Sequence, residues 1–373
     1  MTRVLTAVRW LLLLLAAAGV AATILPSVNG DAWWIRVLDF PRLEFLIAMA
    51  VAALLLALLP RRTWLGWAAV AALAGACAYD AVLLAPYSPL VAPQQVVAAG
   101  CPDGNRLRLL EANVQMTNEH DHRLLDIVRQ VAPDLAWFQE TDAWWEQELA
   151  PLGAEMPYGV AKAQPNYFGV HLFSRLPLSD PEVHYLTGSR DPSVFAGVRL
   201  PSGQAMKLYA VHPRPPLLGQ STAERDGQLL AAALAAHGDQ GPHVIAGDMN
   251  SVPWEGVIGR AQRVGRFLDP RIGRGLYVTW SADSLVMKWP LDQILPGPGI
   301  TLLSLRVLPA FGSDHHPYLA ELCLDPAAAP RQPSPALRPG DVEAAQAAVR
   351  DGQDAADKVG YKGRHDPGGA RTD

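Results

Sequence analysis

The residues with the clearest chemical potential are Asp248 and Asn250, which follow the apolar run at residues 243–246 in the phrase Gly-Asp-Met-Asn. A short β-forming run that ends at a glycine predicts a strand leaving a buried sheet. Because side chains alternate along an extended chain, residues two apart point to the same side, and both could reach one phosphate or one metal ion. Asp and Asn also favour turns, so the phrase alone is more typical of a turn than of a catalytic site.

Polar side chains follow several other predicted strands in the same manner. Short apolar runs between turn residues predict strands at residues 106–111, 135–138, 166–174, 194–200, 207–212 and 291–295, and at 302–308 and 318–324 on the two sides of 312–317. Helical spacing at 121–131 separates the first two strands. The polar side chains that these strands present are Asn113, Glu140, His212, Asp292, Asp314 and His315. Ligands in layered α/β proteins gather at strand ends, so we expect one shared cleft, although each side chain singly is also typical of a turn or a strand cap.

Taken in order, these phrases resemble the endonuclease/exonuclease/phosphatase family, which has the deoxyribonuclease-I-like fold. The matching phrases are Glu-Ala-Asn-Val at 111–114, Phe-Gln-Glu at 138–140, Gly-Val-His-Leu-Phe-Ser-Arg at 169–175, Val-His-Pro at 211–213, Gly-Asp-Met-Asn at 247–250, Leu-Asp-Gln-Ile-Leu at 291–295 and Gly-Ser-Asp-His-His-Pro at 312–317. The resemblance covers residues 106–324. It implies an α/β (α+β) four-layer sandwich, with two packed, mainly antiparallel sheets flanked by helices. It also implies a phosphoesterase that depends on a divalent metal ion, usually Mg²⁺, with Mn²⁺ as an alternative.

The resemblance implies metal ligands at three of the matching positions. Glu140 would be the principal ligand, with Asn113 and Asp314 beside it. Oxygen ligands suit Mg²⁺, which binds one or two carboxylates together with substrate phosphate and water.

It implies catalytic roles at five further positions. Asp248 would orient and deprotonate the attacking water, and Asn250 would hold a phosphate oxygen. His315 would contact the scissile phosphate, while Asp292 would fix its ring and keep it cationic. His212 would be a phosphate ligand or the acid for the leaving group.

The sequence departs from the family pattern at two positions. Gln293 stands where many relatives have an aromatic residue or histidine, which leaves the local substrate contacts open. His316 is an extra histidine that we interpret as a surface residue. In the fold that the resemblance implies, Cys101 and Cys323 belong to the same core, so a disulfide between them is a hypothesis that an exported location would permit.

The first 85 residues predict a membrane anchor. Half of the chain is hydrophobic, and apolar runs at 10–25, 45–59 and 64–84 predict three transmembrane helices, since about 20 apolar residues cross a bilayer. An alternative for the first run is a cleavable signal peptide. Arg3, Arg9, Arg61 and Arg62 would lie on one side, which the positive-inside rule assigns to the cytoplasm. We therefore expect an integral protein of the bacterial inner (cell) membrane with an extracytoplasmic catalytic domain. Asp80 would lie near the outer interface with a structural role.

The remaining segments complete the predicted organisation. Residues 86–104 read as a linker, 105–324 as the catalytic domain and 325–373 as a disordered tail, because the tail has no sustained apolar period. The apolar loop at 285–290 could touch the membrane or pack on its own domain.

The composition weighs on the choice of function. The formal charge of −5 gives no global sign of a nucleic-acid binder. The leading hypothesis is a membrane-anchored phosphoesterase whose partners are the lipid bilayer and a phosphate ester of lipid, nucleic acid or a small molecule. No protein partner is inferred. The alternatives are an exported nuclease of DNA or RNA and, from another class, a non-catalytic binding or scaffold protein on the same fold.

Overall fold

The computed structural model describes residues 2–28, 30–60, 63–188, 190–216, 218–239 and 241–364. The strands are β1 Arg106–Asn113, β2 Leu135–Gln139, β3 Tyr158–Lys162, β4 Val170–Ser174, β5 Leu178–Tyr185, β6 Pro192–Arg199, β7 Ala205–Ala210, β8 His243–Asp248, β9 Asp292–Pro296, β10 Ile300–Val307 and β11 Tyr318–Leu324. The helices are α1 Thr2–Ile24, α2 Trp33–Arg36, α3 Arg42–Leu58, α4 Trp64–Leu84, α5 Asp121–Val131, α6 Ala143–Leu149, α7 Ala223–Gly238, α8 Gly256–Gly265 and α9 Asp341–Arg364.

The strands form two mainly antiparallel sheets. A six-stranded sheet has the order β10-β11-β1-β2-β4-β3, and a five-stranded sheet has the order β5-β6-β7-β8-β9. Only the β1–β2 and β7–β8 pairs are parallel among the described strands. In both cases a helix makes the crossover that parallel neighbours require.

Three apolar layers hold the sandwich together. The sheets pack on each other through alternating side chains, such as Leu109 of β1 and Leu208 of β7. The outer face of the six-stranded sheet is covered by α5 and α6, and that of the five-stranded sheet by α7 and α8. The predicted four-layer architecture is therefore confirmed.

The N-terminal helices agree in part with the predicted three spans. Two helices, Arg3–Ser27 and Trp64–Tyr87, are long and apolar enough to cross a membrane. A third span is present if Trp33–Asp39 and Arg42–Leu58, which meet at 76°, count as one. Asp80 is fully buried and pairs with Arg42, at the start of α3, at 3.0 Å.

The prediction of a disordered tail is wrong for its larger part. A short 3-10 helix at Pro326–Arg331 leads to α9, which packs against α7. Asp341 accepts two hydrogen bonds from Arg263 of α8, at 2.6 and 2.8 Å, and Ala345 is buried between the helices. Small side chains let α9 approach closely, and Gly227 and Gly352 meet at that contact. The alanine-rich helix α9 therefore buries its small side chains against α7 and needs no core of its own.

The linker is bonded to the domain that it precedes. Val97 forms a bridge with Leu302 of β10, and Gln95 donates to the carbonyl oxygen of Ile300 at 2.9 Å. Four residues after Val97, Cys101 forms a disulfide with Cys323 of β11, with Cα atoms 5.8 Å apart, as hypothesised. The disulfide bond joins the end of the linker to the six-stranded sheet.

We expect reduction of this disulfide to lower the free energy of unfolding by about 2–5 kcal/mol, because the bond closes a loop of 222 residues in the unfolded chain. Denaturant unfolding of the full chain with and without reductant measures the change. Thiol labelling after denaturation is the control, since only Cys77 should react without reductant. Reaction of all 3 cysteines without reductant would show that the bond is absent.

Candidate active site

The site lies between the two sheets, where the inward faces of neighbouring strands change from apolar to polar. In β1 the inward alternation runs from Leu109 through Glu111 to Asn113. In β8 it runs from Ala246 to Asp248. The alternation that points apolar side chains into the core therefore also points polar side chains between the sheets at the strand ends.

Strand pairing and one glycine fix the centre of the site. The antiparallel register of β8 and β9 sets Asp292 directly opposite Asp248. Gly247 has φ +147°, and a Cβ atom there would lie 1.8 Å from the carbonyl oxygen of Val211. Only glycine allows the end of β8 to approach the segment after β7 so closely.

Asp248 lies close to one amide and two histidine rings. Its Oδ2 accepts from Asn113 Nδ2 at 3.1 Å and lies 3.6 Å from His315 Nε2 and 3.8 Å from His212 Nε2. Burial raises the pKa of Asp248, and the charge of His315 opposes that rise. A carboxylate with a raised pKa can accept a proton from water, which is the chemistry of a general base.

Asn250 does not continue the strand as the alternation predicted. Its backbone has φ 47°, and its N–H donates to Asp248 Oδ1 at 2.9 Å in an Asx turn. Asn250 Nδ2 donates to the carbonyl oxygen of Pro213 at 2.9 Å. The side chains of Asp248 and Asn250 still lie in one site, but a turn brings them there. A non-glycine residue with left-handed backbone angles is strained, and such residues are common at functional sites.

His315 and Asp292 form a tightly bonded pair. His315 Nδ1 lies 2.7 Å from Asp292 Oδ2, and both side chains are buried. Burial disfavours the charged ring, but Asp292 and Asp248 outweigh it and raise the pKa of His315 to about 10. A ring with that pKa is cationic at neutral pH.

Glu111 is a member of the site to which the sequence had assigned no role. It is fully buried, and burial and its neighbour Asp292 raise its pKa well above the ordinary value. Glu111 Oε2 and Asp292 Oδ1 are otherwise without hydrogen-bond partners. A proton on Glu111 satisfies both atoms, so a neutral acid donates to Asp292, which in turn holds His315. Glu111 stands two residues before Asn113, on the same face of β1, and this spacing could have indicated that it belongs to the site.

We expect Glu111→Gln to keep activity within severalfold, because the amide can still donate to Asp292. Glu111→Ala should lower the free energy of unfolding by about 1–3 kcal/mol, because it leaves a buried acceptor unpaired. Denaturant unfolding and phosphodiester turnover of the two variants give the comparison. A Gln variant as damaged as the Ala variant would mean that Glu111 is ionised.

Of the three residues implied as metal ligands, Asn113 and Glu140 are linked to Asp248 through the Asn113 amide. Asn113 Nδ2 donates to Glu140 Oε1 at 2.9 Å and so links that carboxylate to Asp248. Glu140 has φ 62° and accepts from the N–H of Met116 at 3.3 Å. Asp314 is half-buried, accepts from Trp280 Nε1 at 2.9 Å and is close enough for its charge to raise the pKa of Glu140, after the larger effect of burial.

The donor set fits a divalent cation with oxygen ligands. Five carboxyl groups surround the site, and among the described contacts none of them pairs with Lys or Arg: Glu111, Glu140, Asp248, Asp292 and Asp314. One geometric grouping, Asp248, Asp292 and His315, has ligand atoms within 4.8 Å of one another. We favour the Glu140 side, because Mg²⁺ prefers oxygen ligands and that side offers them without a histidine. Glu140, with Asn113 and Asp314 beside it, would hold the ion there.

His212 and the two departures from the family pattern occupy different surroundings. His212 is buried, packs 5.6 Å from Phe168 and has a pKa lowered by burial, so its ring is neutral beside Asp248. Gln293 is buried and accepts from Arg271 at 2.7 Å, which makes it structural. His316 is half-buried and bonded to Leu308 instead of lying free on the surface, and it is outside the group around Asp248.

This architecture and this set of side chains define a hydrolase of phosphate esters. The Endonuclease/Exonuclease/phosphatase family pattern matches residues 110–315, which is more than half of the chain. The chain belongs to that family, and its enzymes are hydrolases that depend on a divalent metal ion.

Solved structures share the fold at low identity. TDP2 from D. rerio, complexed with single strand DNA product, is 16% identical with a TM-score of 0.51, over 58% of this chain and 98% of that chain. The human Nocturnin catalytic domain with bound sulfate anion is 18% identical with a TM-score of 0.48, over 58% and 94%. Sphingomyelinase C from Streptomyces griseocarneus is 14% identical with a TM-score of 0.43, over 58% and 99%. No curated protein matches.

Proposed function

We propose that the protein is a membrane-anchored, extracytoplasmic phosphoesterase that hydrolyses a phosphodiester or phosphomonoester by in-line attack of water. The observation that carries this proposal is the position of Asp248, a buried carboxylate with a cationic histidine 3.6 Å away and a neutral histidine 3.8 Å away. A base beside a positive charge suits a reaction in which water loses a proton while phosphate gains charge.

The roles follow from the contacts. Asp248 accepts the proton of the attacking water, and the Asn113 amide holds its carboxylate in place. His315 donates from Nε2 to a phosphate oxygen, and Asp292 keeps the ring oriented and cationic. The neutral His212 lies on the other side of Asp248, where it binds phosphate or serves the leaving oxygen. Glu140, with Asn113 and Asp314 beside it, would hold a divalent ion, Mg²⁺ by preference and Mn²⁺ as a substitute, which would neutralise phosphate charge.

The location rests on the apolar helices and the distribution of arginine. Arg9 donates to the carbonyl oxygen of Pro60, so the start of α1 lies beside the turn between α3 and α4. Arg3, Arg61 and Arg62 belong to the same two segments of the sequence. The positive-inside rule assigns that side to the cytoplasm and the catalytic domain to the other side. A disulfide in the domain suits an oxidising compartment.

A substrate panel tests the proposal on the full chain in detergent or nanodiscs. The panel contains plasmid DNA, RNA, sphingomyelin, phosphatidylinositol phosphates, soluble phosphodiesters and phosphomonoesters, each with Mg²⁺ or EDTA. Asp248→Ala and His315→Ala are measured beside the wild type. The expected result is turnover that requires metal and is lost in both variants. Turnover that survives either change would overturn the assigned roles.

A further inference from the structure

The membrane anchor docks on the loops that carry the active site. Three loops of the five-stranded sheet lie at the site: 211–222 with His212, 249–255 with Asn250, and 277–291 before Asp292. Each of them contacts the segment between α1 and α3 or the first turn of α3. The anchor thus touches the site edge of the domain.

Each loop makes its own contact with the anchor. The N–H of Thr222 donates to the carbonyl oxygen of Asp31 at 2.7 Å. Trp254 Nε1 donates to the carbonyl oxygen of Asp39 at 2.7 Å, and Trp289 Nε1 donates to Glu44 Oε1 at 3.1 Å.

Apolar packing reinforces these bonds. Phe40 packs against Val252 and Leu291, which follow Asn250 and precede Asp292 in the chain, and lies 5.3 Å edge-on from Trp289. The site edge is therefore held at the end of the helix bundle by apolar contact as well as by hydrogen bonds.

The anchor residues in these contacts mark one membrane–water interface. Asp31 follows α1, and Asp39 and Glu44 flank the start of α3. Arg42 donates to the carbonyl oxygen of Thr23 near the end of α1, so the two helix ends are level. Tryptophan side chains with a bonded N–H are typical of such interfaces. The site edge of the domain therefore faces the bilayer.

One hairpin on this edge exposes apolar side chains to an unusual degree. Trp280 and Trp289 form its base, where their rings stack at 4.9 Å. At its tip Leu285 is 95% exposed, Val286 70% and Met287 51%. Contiguous exposed apolar side chains mark an interaction surface, and here the nearest large apolar medium is the bilayer beside Glu44.

The same hairpin reaches the chemical centre. Trp280 Nε1 donates to Asp314 Oδ2 at 2.9 Å, and the Trp280 backbone bridges His315. One short segment therefore connects the bilayer side, through Trp289 and Glu44, with the proposed metal and phosphate groups. Two further loops at the anchor expose an apolar residue, Leu90 at 90% and Leu218 at 80%.

We propose that the substrate is a membrane-borne amphiphile whose phosphate-ester headgroup enters the site directly from the outer leaflet, with residues 285–287 inserted among the lipids. The inference rests on the proposed function and names its substrate class. An anionic polymer would have to enter between a bilayer and a chain of net charge −5. Hydrolysis of nucleic acid is accordingly the opposing outcome of the test.

The first experiment measures the depth of the hairpin. Val286→Cys, in a Cys77→Ala background of the full chain, is labelled with an environment-sensitive fluorophore and reconstituted in vesicles of phosphatidylcholine and phosphatidylglycerol. Brominated lipid acyl chains then serve as quenchers. The matched control is Gln204→Cys, an exposed position at the opposite end of β7. We expect strong quenching at 286 and none at 204, and equal signals at both positions would overturn the insertion.

The second experiment compares lipid with soluble substrate in the same vesicles. We expect Val286→Asp to lower the ratio of phospholipid turnover to turnover of a soluble phosphodiester about tenfold, and Gln204→Asp to leave the ratio unchanged. If the wild type hydrolyses the soluble ester with metal but no lipid, or cleaves only plasmid DNA, the membrane-borne substrate is ruled out. The proposed phosphoesterase activity then still stands. If the wild type turns over neither the lipid nor the soluble ester, the proposed function is overturned instead. Quenching at position 286 still reports whether the hairpin lies in the bilayer.

Discussion

Asp248→Asn is expected to lower kcat on a soluble phosphodiester by about 10²–10⁴-fold, the usual contribution of a positioned general base. The amide keeps the size of the carboxylate and can still accept from the N–H of Asn250, so the fold should survive. It cannot take a proton from water at neutral pH. Single-turnover kinetics with saturating Mg²⁺ isolate the chemical step from substrate binding.

Asp126→Asn provides the matched control for this change. Asp126 is an exposed residue of α5, and its pair with Arg129 at 3.7 Å lies on the outer surface of the domain. The same chemical replacement there should leave kcat within twofold. If Asp248→Asn retained more than a tenth of the wild-type kcat, another group would have to be the base, with His212 the next choice because its ring is neutral.

The strands that carry the candidate site residues could be predicted because strand ends can be read from local patterns. The runs at 106–111 and 318–324 became β1 and β11, and the runs at 243–246 and 291–295 became β8 and β9, which bring Asp248 opposite Asp292. Strands β3 and β5 escaped prediction. Both are mostly exposed along their length, so their sequences lack the apolar period that marks a buried strand.

Features that depend on partners far away in the chain could not be read locally. α9 is stable because it packs on α7, more than 100 residues earlier, and a polar, alanine-rich segment does not show that contact in its own sequence. The protonation of Glu111 needs Asp292 as its neighbour. The docking of Trp289 on Glu44 joins positions 245 residues apart. These contacts join the site loops to the N-terminal helices, whereas the motifs alone described only the chemistry of the site.

The pair of His315 and Asp292 should behave as one unit in a double-mutant cycle. We expect His315→Ala to lower kcat about 10²–10³-fold, since it removes a donor to the developing phosphate charge. Asp292→Asn should cause a smaller loss, because the ring remains but is less basic. The double variant should be no worse than His315→Ala, since Asp292 acts through that ring at 2.7 Å.

The pH profile separates this role from a merely structural one. The pKa of His315 is raised to about 10, so the stabilisation from its ion pairs is fully present below pH 6.5 and is lost as the pH rises through about 10. Wild-type activity should therefore fall on the alkaline side near pH 10. Asp292→Asn removes the nearest negative charge and should move that limb toward neutral pH. If the alkaline fall in activity stays at the same pH in Asp292→Asn, or if the two losses in kcat multiply in the double variant, Asp292 does not act through His315. If the fall moves toward neutral pH and the double variant loses no more kcat than His315→Ala, the charge on the ring contributes to catalysis.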